Sequence, residues 1–135
     1  MNIQRTADQV QIPVSIGELV DRISILEIKL ANIVEEAKLV YVRAELLSLR
    51  QIHDAGEWAT PELTAAYSQL KSTNEELWKI EDEIRKCEAR RDFGSRFIEL
   101  ARRVYKTNDC RAELKSQINE MTGSMIREVK EYSNS

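Results

Sequence analysis

A chain of 135 residues, 42% hydrophobic and 32% charged, supplies one modest core and not two. Four glycines and two prolines give too few turn signals for a sheet-rich fold, and no run of eighteen apolar residues is present to span a membrane. The net charge of −3, with two cysteines and one histidine, argues against a nucleic-acid binder and against a tetrahedral zinc site, so no metal or other cofactor is expected.

In chain order, residues 1–12 carry no helical period and run into Pro13, which disfavours helix at the residue before it. They read as an arm and, lacking an apolar leader, suit a cytoplasmic protein. Ser15 and Glu18 predict a capping box, in which the hydroxyl accepts from one backbone N–H and the carboxylate reaches back to the other. Ile16, Leu19, Ile23, Leu26, Leu30 and Ile33 recur at threes and fours and predict an amphipathic helix ending near Val34. A second helix is predicted from about Glu36 to His53, with Leu39, Val42, Leu46, Leu49 and Ile52 on one face and Gly56 as its stop.

Thr60 before Pro61 marks the next start, since threonine caps and proline at the first helical position has no N–H to leave unpaired. Leu63, Ala66, Leu70, Thr73, Leu77, Ile80, Ile84 and Cys87 then keep strict three-four spacing, which predicts a rod of about 30 residues and roughly 45 Å. Such a rod needs several partners or a second copy, and a homodimer is expected. Cys87 on that seam reads as a buried thiol rather than as half of a disulfide with Cys110. Asp92 predicts the cap of a shorter helix through Phe93, Phe97, Leu100, Ala101 and Val104. Thr107 and Asn108 predict a break and a fresh start, with Leu114, Ile118 and Met121 carried to a stop at Gly123. Residues 124–135 read as a tail with a last turn through Ile126 and Val129. The fold class is therefore all-α, a long antiparallel helical hairpin or small bundle in a single domain over residues 1–135.

Charge is unevenly spread. Residues 54–83 hold eight acids against two bases, and residues 84–115 hold ten bases against five acids. Laid side by side in an antiparallel pair, the two stretches would neutralise each other. The basic stretch is interleaved with acids, which again disfavours nucleic acid.

Three blocks, PVSIGELVDRISILEIKL, NEELWKIEDEIR and FIELARRVYKTNDCRAELKSQINEMTGS, resemble in order a family of small bacterial and phage proteins known only as a domain of unknown function. The likeness runs from about Pro13 to Tyr132. Arg22 and Ser24 stand where that family more typically has Lys and Thr, substitutions that keep the charge and the hydroxyl. The resemblance implies a helical fold, leaves the activity open, and implies a setting near cell-surface polysaccharide synthesis.

The polar residues of these blocks supply the candidate site. Asn74, Trp78, Asp82 and Arg85 step along one helix face, either as an edge that docks the C-terminal helices or as one wall of a cleft that stacks a sugar or base. Arg96 and Arg103 lie two turns apart, and Asn108, Arg111 and Lys115 open the predicted last helix, where free N–H groups and guanidinium forks suit a phosphate. Asp109 in the same turn is the competing, purely structural partner of that helix end. No Ser/His/Asp or Cys/His set and no glycine-rich phosphate loop is present. The favoured reading is a non-catalytic helical interaction or accessory protein, acting on a protein partner or a second copy. The alternative is a site for an anionic small molecule, a phosphosugar or nucleotide-sugar, in a small binding protein or enzyme.

Overall fold

Four helices, α1 (Ile16–Asn32), α2 (Glu36–Ala55), α3 (Pro61–Ala89) and α4 (Ser95–Thr122), make up the computed structural model, which describes residues 9–130. The fold is all-α, with no strand among the described residues. The predicted arm and tail lie partly outside them. No described helix is long and apolar enough to cross a membrane, and no group of three metal-ligating side chains occurs among the described residues.

α3 starts as its sequence dictates: the Thr60 hydroxyl accepts from the Leu63 N–H at 3.1 Å, and Pro61 takes the first turn. The chain then reverses through Arg91, held at φ 54°, and the Asp92 carboxylate accepts from the Gly94 N–H at 3.2 Å. Asp92 therefore caps the turn, and Gly94 rather than Asp92 is the N-cap of α4. α4 runs antiparallel to α3 for 28 residues without the break expected at Thr107 and Asn108. The reason lies in its own spacing. Phe97, Leu100, Val104, Thr107, Arg111, Leu114, Ile118 and Met121 repeat the three-four step of α3, but two polar members hide it. Thr and Asn each cost a helix roughly 0.5 kcal/mol relative to alanine. Burying Leu100, Leu114 and Ile118 returns about 1.5–3 kcal/mol apiece. Packing wins, and the helix closes where expected, at Gly123 with φ 67°.

α1 is the strut of the molecule. Val20 joins Leu63, Ala66, Leu70, Leu114 and Ile118 in one core, whereas Leu19, Ile23 and Leu26 meet Val42 and Leu46 of α2 in another. α2 approaches the backbone of α1 alone. α1 stops at Asn32, before the expected Val34, and Ile28 is buried where Leu30 was expected, because the helix is covered on more than one side. On α2 the seam steps from Leu49 to His53, so Ile52 turns outward and is 53% exposed, contrary to its sequence reading. The expected last turn is absent too: residues 124–130 form no helix.

At about 25 Å for its 17 residues, α1 covers only one half of a hairpin whose arms are about 43 Å long. The other half is two helices with a thin core of Ile80, Cys87 and Leu100. Cys87 is buried and reduced there, and Cys110 is an exposed thiol.

Candidate functional site

The polar residues of α1 meet those of α3 and α4 at one place. Asp21 is completely buried, one turn into a helix otherwise packed with aliphatic side chains. An isolated carboxylate there would be prohibitively costly, and it is instead fully partnered. Arg111 donates from Nε to Oδ1 at 3.0 Å and from Nη2 to Oδ2 at 2.5 Å, a bidentate fork from α4. Asn74 donates from Nδ2 to Asp21 Oδ1 at 2.9 Å and to the Ser24 hydroxyl at 2.8 Å, bringing in α3. The Ser24 hydroxyl donates in turn to the Asp21 backbone carbonyl at 2.7 Å. Asn74 Oδ1 is buried without a hydrogen-bond partner among the described residues.

A turn earlier, α4 caps α1 from outside. The Ile16 N–H donates to Ser124 Oγ at 3.3 Å, the Gly17 N–H to Asn119 Oδ1 at 2.7 Å, and the Glu18 N–H to Ser15 Oγ at 3.0 Å. The first three free donors of the helix are thereby matched, so this N-terminus offers nothing to an outside anion. The close approach requires glycine, since a Cβ on Gly17 would lie 2.6 Å from the Lys115 carbonyl oxygen. Glu18 does not reach back to Ser15 as a capping box would. Its carboxylate takes Lys115 at 2.6 Å and Arg22 at 3.0 Å, because a charged donor competes better than a backbone N–H. Burial alone would raise the Glu18 carboxyl, but the hydrogen bonds from Lys115 and Arg22 outweigh it and hold it below its ordinary value. Burial would likewise lower the Lys115 ammonium, yet Glu18 and Asp21 keep it above the ordinary lysine value. The Asp21 hydrogen bond raises the Arg111 guanidinium in the same way, against the effect of burial.

Of the residues singled out in the sequence, the structure brings Asn74, Arg111 and Lys115 together here, with Asn108 beside Arg111 at 3.5 Å. The rest lie apart. Asp82 pairs with Lys86 on an exposed face, Arg96 with Glu99, and Arg103 with Glu76 across the hairpin. Arg85 is exposed and Trp78 half-buried on α3. The side-by-side placement of the acidic and basic stretches is as expected, but Arg103–Glu76 is the one ion pair joining α3 to α4 among the described residues. Arg111 and Lys115 are neutralised by α1 instead. With every oxygen of Asp21 occupied, this constellation clamps three helices.

Sequence reasoning missed a second centre on α1. Glu27 accepts from the Tyr67 hydroxyl of α3 and from Arg50 Nη2 of α2 at 2.7 Å, with Lys71 Nζ at 3.8 Å. A cavity of about 270 Å³ lies beside it between α2 and α3. No local motif marks it; the one available signal is an acid beside the aliphatic stripe of α1, six residues beyond Asp21. A larger hollow of about 420 Å³ separates α4 from the tail, bordered by both acids and lysines.

No curated protein and no solved structure matches the chain. A family model does match, over residues 10–135, which include all three sequence blocks and every residue of the clamp. The chain therefore belongs to that family, a family of unknown function (DUF6165).

Proposed function

We propose that this protein is a non-catalytic helical interaction protein that works as a homodimer, in the setting of cell-surface polysaccharide synthesis that the sequence resemblance implies. The carrying observation is the unfinished half of the hairpin. α1 rests on the side of α4 that bears Asn119; stepping back by sevens along the same face gives Ala112, Tyr105 and Ile98. Tyr105 and Ile98 are 54% and 55% exposed. On α3 the face of Lys71, which meets α1, continues through Trp78 and Arg85. The groove that α1 fills at one end thus runs on, open and partly apolar, at the other.

A second copy of the chain suits this groove because its charges are complementary to themselves. Glu81 and Arg85 lie one turn apart on the exposed rim, so an antiparallel two-fold pairing sets each against the other's counterpart. The outer face of α2, with Val40, Tyr41 and Leu47 exposed, is then the surface left for a protein partner. An anionic-sugar site built on the basic residues has less support, since Arg103, Arg111 and Lys115 already carry carboxylates.

Sedimentation equilibrium and light scattering test the reading. The wild type should be a dimer at micromolar concentration, and Ile98→Glu with Tyr105→Glu, both at exposed positions, should give a folded monomer. A wild type that stays monomeric up to about 100 μM, or a double variant that stays dimeric, removes it.

A further inference from the structure

The cavity beside Glu27 has a geometric origin. The backbones of α2 and α3 both approach α1 but not each other, so they leave a wedge whose floor is α1. Val20, Ile23 and Glu27 form that floor at helical spacing, Arg50 and His53 stand on the α2 wall, and Leu63 and Tyr67 on the α3 wall. The linker closes one end at Ala59, and the Trp58 ring is braced against His53, centroids 5.9 Å apart. An apolar floor with a few polar groups converging at the mouth is the usual construction of a small-ligand site.

The geometry points to a binding site for a small carboxylic acid with an apolar body, such as a single ring on a short chain. The sign of the ligand follows from the hydrogen-bond inventory. Both Glu27 oxygens already accept, from Tyr67 and from Arg50, with Lys71 close by, so a cationic ligand would have to displace donors the protein supplies. Asp54 at the rim is 81% exposed, with its Oδ1 3.5 Å from His53 Nδ1, so it is screened by water and by that ring. Arg50 uses one N–H on Glu27 and is otherwise half-exposed at the mouth, leaving part of its five-donor fork for a carboxylate. The His53 ring lies on the same wall, one turn along. The apolar body then lies against the side chains of Ala59 and Tyr67, above a floor of Val20, Ile23 and Leu63 that the helices already bury. A volume of about 270 Å³ admits on the order of ten non-hydrogen atoms at the roughly 30 Å³ of a water molecule each.

The test uses 3-phenylpropionate and, as its size-matched cation, 3-phenylpropylamine, titrated into the full-length protein and followed by protein-observed NMR. The acid should bind saturably at about 1 mM or tighter, moving the Ile23 and Leu63 methyl and His53 ring signals, and the amine should not. Arg50→Met should weaken binding about tenfold. Thr64→Phe, which fills the mouth from an exposed position without removing a charge, should do the same in a protein whose melting curve shows it folded. Absence of saturation by the acid up to about 10 mM, equal binding of the amine, shifts confined to other surfaces, or unchanged affinity in either variant overturns the proposal. Dimerisation does not enter the measurement, so the two readings stand or fall separately.

Discussion

Arg111 and Asp21, ninety positions apart in the chain, are joined by two parallel hydrogen bonds of 3.0 and 2.5 Å across the α1–α4 interface. Removing one partner strands the other in a low-dielectric interior. Arg111→Met, which leaves the fully buried Asp21 without its guanidinium, should therefore cost about 3–5 kcal/mol in urea unfolding, and the paired change Asp21→Leu with Arg111→Met much less, since no charge is then left buried. A single variant within about 1 kcal/mol of wild type would contradict the burial of that pair.

Gly17→Ala separates propensity from packing. Alanine is favoured over glycine by about 1 kcal/mol inside a helix. At this position the added methyl meets the Lys115 carbonyl at 2.6 Å and the Asn119 side chain at 2.8 Å. Overpacking against backbone costs about 1–3 kcal/mol, so the net change should be destabilising. Asn119→Ala, which also leaves the Gly17 N–H unmatched, should move the denaturation midpoint in the same direction.

The Glu18–Lys115 pair makes stability depend on pH with a definite sign. Glu18 titrates lower in the folded than in the unfolded chain, so the unfolded state takes up its proton first as pH falls. Its contribution is present above the ordinary value of 4.5 and fades as pH drops through the lowered folded value. Lys115 behaves oppositely: its contribution holds below 10.5 and is lost as pH climbs through the raised folded value. Melting temperatures of wild type and Glu18→Gln, measured from pH 3 to pH 7, should converge at the acid end. Parallel curves would mean that Glu18 has no share in acid unfolding.

The two thiols should react at different rates. Cys110 is exposed on α4 and Cys87 is buried at the thin end of the hairpin core. A thiol-specific reagent should label one cysteine promptly in the native protein and the second only with unfolding. Prompt labelling of both would show the far half of the hairpin to be open in solution.

The long helix of eight regularly spaced seam residues was legible because its members are mostly aliphatic. α4 was not, although its spacing is the same, because Thr107 and Arg111 occupy two seam positions and Arg111 is there for Asp21 rather than for α3. Periodicity reads the side a helix shows to one neighbour and is blind to a residue recruited by another. Much of the clamp was visible as polar letters within the three blocks, Asp21, Asn74, Arg111, Lys115 and Asn119 among them. Their convergence was not, since it depends on how α1 lies across the hairpin. The Glu27 cleft was invisible for the same reason: it exists because the backbones of α2 and α3 stay apart where both lie on α1.

The anchoring of α1 by residues 111–124 sets an order of assembly. Its key partners lie 90, 97, 102 and 108 positions downstream. The α3–α4 hairpin closes over a short turn and can form early, whereas α1, made well before its partners, must wait for residues 111–124 to emerge. Until then Asp21 has no guanidinium and the helix start has no outside acceptors. Nascent chains halted near residue 105 should remain protease-sensitive through their N-terminal third, and those reaching residue 124 outside the exit tunnel should become resistant there.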